Sequence, residues 1–372
     1  MIITKETSPY LRRKADVKRM MLDVLIALAP TLIFSFVVFP IQTLVDLAIS
    51  SSIMLIAEFI FVGLKNMIPK DGEKHTFKEK FEHSYKGKYG INNIIPPLIS
   101  AVIFTLAMPA GAPIYSIILG SLFGIVFGKL VFGGLGNNIF NPAAAGRIFA
   151  GICFGTYLND AYALSDVYAG ATPLGFTKTS SGLALNAIGN YSLLDLFLGN
   201  VPGSMGEVSA LCILIGGIYL FYRKSADIRA TLSYLLSFGA VMMAAVITES
   251  IVKSGNIIEM WAYQMLSGGL IFGAVFMVTD PVTSGTTKFS RIAFGISAGL
   301  ITALIRIVGA YPEGVAYSIL IANMLAPCFD YFNRGKPNKI TWKQALVLGS
   351  IVLVIGAIIV VNVCYQGGVF NA

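Results

Sequence analysis

The chain has 372 residues, of which 56% are hydrophobic and 12% charged, with a mean hydropathy of +0.76. A soluble domain carries about 25% charged residues, so this balance excludes a water-soluble protein and makes membrane lipid the surroundings. The net charge of +8 implies neither nucleic acid nor an acidic substrate, because the Lys and Arg residues fall between apolar runs, as the positive-inside rule expects.

Residues 1–20 are basic and polar, with no short apolar stretch before a small-residue cleavage site. No signal peptide is expected, and the first helix reads as a retained anchor. Eleven apolar segments follow, at 21–39, 42–64, 93–109, 113–132, 142–155, 208–222, 230–248, 264–279, 292–309, 314–330 and 345–364. Most approach the ~20 residues that cross ~30 Å of hydrocarbon. The fifth is short and opens at Asn141-Pro142; Asn caps a helix start, and Pro is tolerated at its first position.

Loop charge sets the orientation. Lys5, Arg12, Arg13 and Lys14 precede the first segment, seven Lys between Lys65 and Lys88 follow the second, and Arg223, Lys288 and Arg334 open later basic loops. Eleven spans put all of these on one side, the cytoplasmic side of a bacterial inner membrane. The loop 156–207, with one Lys against Asp160, Asp166, Asp195 and Glu207, falls outside. The charged loop 65–89 reads as a solvated hairpin or amphipathic helix, or as a docking surface for a partner.

A weak internal repeat is visible. Phe104-Thr-Leu-Ala-Met-Pro109 resembles Phe276-Met-Val-Thr-Asp-Pro281. Each precedes a Gly-rich helix and a second Pro-led segment, at Pro142 and Pro312, after 33 and 31 residues. The expected fold is all-α and polytopic, with a ten-helix core of two inverted five-helix repeats and one extra C-terminal helix. The organisation is an N-terminal segment (1–20), a first repeat (21–155), an outer loop (156–207), a second repeat (208–330), and a linker with the last helix (331–372). Such repeats place a functional site at their interface; chance similarity of Gly/Pro-rich segments is the alternative.

The four Cys are scattered without metal or redox spacing, and both His (75 and 83) lie in one hydrophilic loop. That removes a haem ligand at membrane depth and Ser/His/Asp catalysis, and no Walker-type loop exists. Any chemistry therefore comes from a bound cofactor. Asp46, Glu58, Glu207, Glu249 and Asp280 lie in or beside apolar segments, where charge faces a cavity or a partner. Glu58 and Asp280 are candidates to touch a translocated cation, with helix capping the alternative for Asp280. Arg147 and Arg306 are candidates to pair with these acids or with a phosphate.

Two loops stand out. In Gly133-Gly-Leu-Gly-Asn-Asn-Ile-Phe-Asn-Pro142, Gly allows close approach of helices or of a cofactor. In Asp166-Val-Tyr-Ala-Gly170-Ala171-Thr172-Pro173-Leu174, Thr172 offers a hydroxyl able to form a phosphoester, with small neighbours at its side and a fixed backbone after it. From the residues alone this is equally a plain turn.

These two loops, with Gly203-Ser-Met-Gly-Glu207, Thr279-Asp-Pro-Val-Thr283 and Tyr311-Pro-Glu-Gly314, resemble in collinear order the D subunit of the Rnf complex and its sister, the B subunit of the sodium-pumping NADH:quinone oxidoreductase. Ser8-Pro9-Tyr10 and the short region before the first helix favour the Rnf D subunit. The resemblance implies FMN esterified to Thr172 by a flavin transferase, with Asp166, Gly170, Ala171 and Pro173 around it. It also implies electron transfer in a complex coupling ferredoxin:NAD+ oxidoreduction to Na+ or H+ movement, with the A, B, C, E and G components of Rnf as partners. Relatives can hold a second, non-covalent riboflavin. This chain departs from the pattern at Ala169, where the family has Ser or Thr, and in the segment 345–364. The rival of another class is a channel or secondary transporter, for which inverted repeats serve equally well.

Overall fold

A computed structural model describes residues 17–66, 85, 89–163, 172–175, 192–207, 209–253, 256–309, 311, 313–333 and 342–366. All eleven apolar segments are helical. They are α1 (Val17–Val38), α2 (Pro40–Asn66), α3 (Ile91–Ala107), α4 (Ile114–Ile125) with a π-helical turn at Val126–Leu130, and α5 (Pro142–Cys153). Two short helices, α6 (Gly155–Ala163) and α7 (Leu193–Leu198), lie inside the stretch read from the sequence as loop. The second half holds α8 (Ala210–Arg223), α9 (Ile228–Lys253), α10 (Ile257–Leu266), α11 (Leu270–Phe272) with a π-turn at Gly273–Met277, α12 (Lys288–Ile307), α13 (Val315–Phe332) and α14 (Trp342–Gln366). The described residues contain no strand, only one isolated bridge, Pro109 to Ser204.

Six of these helices are long and apolar enough to cross a membrane, or seven if the bent pair α10 and α11 counts as one span. The other four apolar segments are shorter helices of 10–17 residues. At 1.5 Å per residue these reach about 15–25 Å, short of a full crossing. Non-helical backbone at membrane depth is tolerated only against packed neighbours or a cavity. The segment expected at 264–279 is one such correction: it starts earlier, at Ile257, and bends by 58° across Ser267–Gly269.

The packing follows the repeat. In the first half α2 packs on α3 and α4, and α4 on α5; in the second, α9 packs on α10 and α12, and α12 on α13. The halves meet where α1 crosses α8 and where α5 crosses α13. Glycine permits a close crossing of α4 on α5: a Cβ at Gly124 would run into the Pro142 carbonyl, and one at Gly128 would lie 2.8 Å from Pro142 Cα. Pro142 starts α5 as anticipated, with the Asn141 side chain accepting from the Ala143 and Ala144 amides at 3.0 and 3.3 Å. The Gly133–Pro142 loop needs glycine for another reason. Gly133, Gly134 and Gly136 have φ of +109°, +94° and +88°, which residues with a Cβ rarely adopt. Lys65 Nζ donates to the Gly133 carbonyl at 2.9 Å.

Candidate functional site

Thr172 is the N-cap of a helical turn at Pro173–Gly175. It is 9% exposed, and its Oγ1 accepts from the Gly175 amide at 3.1 Å. That bond leaves the hydroxyl its proton and a second lone pair. The turn is seated on α10: Tyr263 donates its hydroxyl to the Pro173 carbonyl at 3.3 Å. Leu174 is buried against Gly268, whose φ of +67° marks the break between α10 and α11.

Beside Thr172 opens a cavity of about 440 Å³. Arg147, from α5, and Asn159, from α6, line it on one side; Glu207, Glu313 and Tyr317 line it on others. Tyr317 stacks on Tyr311 with ring centroids 5.0 Å apart. Glu207 is held there by backbone pairing, since the Met205 and Gly206 amides donate to the Met108 and Leu106 carbonyls at the end of α3, at 3.0 and 2.7 Å. One Glu207 carboxylate oxygen is sealed from solvent without a hydrogen-bond partner. Burial first, then the nearby Glu313 carboxylate, raise Glu207 above the usual carboxylate range.

Arg306 stands behind this wall, 4% exposed. It donates to the Gln264 carbonyl at 2.7 Å and to the Ser267 carbonyl at 3.3 Å, and its guanidinium lies 4.9 Å from the Phe238 ring centroid. A broken helix leaves its last carbonyls without intrahelical donors. Arg306 supplies them, which is why a cation sits inside the apolar segment 292–309.

A second, smaller cavity of about 80 Å³ is lined by Lys129, Asn138, Asn141, Thr279 and Asp280. Asp280 accepts from the Val282 amide at 3.1 Å and the Thr283 hydroxyl at 3.0 Å. It caps that turn, while α12 is capped by Thr287. Lys129 Nζ lies 2.8 Å from Glu58 Oε2, both side chains at most 4% exposed. With its amide turned to satisfy both ends, Asn323 of α13 accepts from the Asn141 amide at 3.0 Å and donates to the Thr283 carbonyl at 3.2 Å.

The structure thus separates the residues singled out in the sequence. Thr172 and Pro173 lie at the larger cavity or its edge. Glu58, through Lys129, and Asp280 belong to the smaller one. Asp166, Gly170 and Ala171 fall outside the described residues. Sequence reasoning passed over Lys129 and Tyr317, and met Glu313 only as part of Tyr311-Pro-Glu-Gly314. A single Lys in an apolar segment, the same oddity that marked Glu58, was the available signal for the first. Among the described residues no group of His, Cys, Asp and Glu could hold a metal ion.

Comparison with known proteins gives the family. Among the relatives is the B subunit of the Na(+)-translocating NADH-quinone reductase of Pseudoalteromonas atlantica, 38% identical over 237 residues, or 63% of this chain and 58% of the relative. The proteins of the same name from Klebsiella pneumoniae strain 342 and Pseudomonas aeruginosa PAO1 are 36% and 38% identical over 240 and 239 residues, with the same coverage. The aligned part is therefore less than three fifths of the length of these relatives. The sequence model of the NQR2, RnfD, RnfE family matches residues 4–339, nine tenths of the chain and all of it before α14, so the chain belongs to that family.

Proposed function

We propose that this protein is a membrane subunit of a redox-driven, ion-pumping complex and that it carries FMN as a phosphoester on Thr172. The observation that carries the reading is the setting of that hydroxyl: Thr172 lines a 440 Å³ cavity with an arginine in its wall. The volume lies within the ~300–1,000 Å³ range of small-molecule sites. Bound there, FMN would supply reversible electron transfer. The chain's own part is to hold it. Thr172 anchors the phosphate, the Arg147 guanidinium offsets its charge, the Tyr311–Tyr317 pair offers an aromatic wall, and the break at Gly268 gives the turn a fixed seat. Covalent attachment keeps the group from being lost to the outside.

Between the two sister complexes, the relatives' names support the B subunit of a Na+-translocating NADH-quinone reductase over the D subunit of an Rnf complex. The partners are then the other subunits of that complex and a flavin transferase. The orientation we assign puts the basic loops in the cytoplasm of a bacterium and Thr172 outside its inner membrane. The smaller cavity, at about 80 Å³, lies well below the ~300–1,000 Å³ of small-molecule sites and does not fit a second, non-covalent riboflavin.

In-gel fluorescence tests the anchor. Wild type co-expressed with an active flavin transferase should give a fluorescent band on a denaturing gel, and Thr172→Ala should give none. A wild type without the band returns the lead to the channel or transporter reading. NADH:quinone against ferredoxin:NAD+ activity in membranes separates the two sister complexes.

A further inference from the structure

One polar feature is used by neither cavity. The buried face of α2 presents Thr43, Asp46, Ser50 and Met54 on successive turns ahead of Glu58. Two hydroxyl pairs bracket Asp46: Ser35 Oγ and Thr43 Oγ1 are 2.8 Å apart, and Ser50 Oγ and Thr105 Oγ1 are 2.7 Å apart. Thr43 precedes Asp46 by three residues and Ser50 follows it by four, so all three share one helix face, each hydroxyl residue with its Cβ about 5–6 Å from that of Asp46. Asp46 is 4% exposed, and its Oδ2 has no hydrogen-bond partner. Thr31 Oγ1, on the buried face of α1, is likewise without one.

No described cation reaches Asp46. The titratable groups on elements packed against α2 are Lys18, Arg19 and Asp23 on α1, Tyr115 on α4 and Lys129 on the π-turn; α3 has none. The segment before α8, whose Met205 and Gly206 amides pair with the end of α3, adds Glu207. On α2 itself Glu58 is committed to Lys129 and lies about 18 Å further along the helix, with Lys65 beyond it. Asp23 is held by Arg223 and Ser225. An ionised carboxylate buried without a partner is disfavoured by lost solvation. A metal cation needs several converging oxygens, and Asp46 belongs to no group of His, Cys, Asp and Glu among the described residues that could hold one.

We propose that Asp46 is a proton-binding site, holding an exchangeable proton that the neighbouring hydroxyl pairs relay. The carboxylate takes the proton from water at that chain and returns it, so only O–H bonds form and break. Met54, fully buried between Ser50 and Glu58, interrupts the polar face. The polar face therefore continues from Asp46 toward Thr43 and Ser35, where Thr43 Oγ1 also lies 3.5 Å from Met205 Sδ.

Infrared difference spectroscopy of the full chain in lipid vesicles tests this, using carbon-13 aspartate and subtraction of Asp46→Asn. At neutral pH Asp46 should show a protonated carboxylic C=O band that shifts in heavy water. Thr43→Val should keep the band and slow its shift severalfold. Carboxylate bands at neutral pH overturn the proposal, and so does an acid band that never shifts. Should Asp46→Asn fail to fold, Asp46→Glu serves as the reference, since it removes the labelled band while keeping the acid.

Discussion

Lys129 and Arg306 are the two buried cations among the described residues, one in each half of the molecule, and they are neutralised in different ways. Lys129 meets a carboxylate, Glu58, at 2.8 Å. Arg306 meets no carboxylate in its hydrogen bonds; it spreads over the Gln264 and Ser267 carbonyls and the Phe238 face. An ammonium concentrates its charge and needs a counter-ion when dry, whereas a guanidinium can distribute its charge over several neutral acceptors in a planar fork. The difference follows the backbone. α2 is continuous at Glu58, so it has no spare carbonyl to offer. The chain at Gln264–Gly268 is broken, so it has several.

The comparison is broken most sharply at the ion pair. Lys129→Met leaves Glu58 buried with no opposite charge and should cost about 3–5 kcal/mol. Denaturant unfolding in detergent measures it, and the double variant with Glu58→Met should recover most of the loss. A single variant as stable as wild type would mean that the pair is not closed in the membrane. Arg306→Lys is the sharper test of the second mode. One ammonium cannot reach both carbonyls, so a buried acceptor loses its donor at about 1–3 kcal/mol. Because Arg306 steadies the break behind Leu174, the same variant should also raise protease cleavage near Thr172.

The smallest effect is expected where a charge pair lies at helix ends instead of in the interior. Asp227 accepts from Arg291 at 2.6 Å and from the Arg229 amide at 2.9 Å, tying the start of α9 to the start of α12. Burial alone would raise its pKa, but these hydrogen bonds outweigh it and leave it lowered. A lowered carboxylate contributes stability that is present above its unfolded value and lost as pH falls through the folded one. Wild type should therefore lose at most about 1 kcal/mol as pH drops below about 4, and Asp227→Asn should lose that part of the pH dependence. A variant with an unchanged acid profile would remove Asp227 from this role.

Legibility varied with the range of the interaction. The eleven apolar segments could be read from hydropathy, though not the short α6 and α7, and the start of α5 from Asn141-Pro142, because these signals depend on residues within a turn or two. Thr172 drew notice only through resemblance, and what the structure adds is the cavity beside it. The 58° break at Ser267–Gly269 was missed, because an apolar segment reads alike whether its hydrogen-bond ladder is whole or cut, and the donor that makes the cut tolerable, Arg306, lies about 40 residues away. The same holds for Lys129, whose partner is 71 residues distant.

By itself, then, the sequence determined the solvent, the helices and the family, since bilayer partition and helical periodicity act locally on side-chain chemistry. Only the tertiary structure decided which polar groups share a cavity, which are cancelled in pairs, and that Asp46 is left without a partner. At membrane depth a polar group's role depends on which neighbour satisfies it, and that neighbour is chosen by packing.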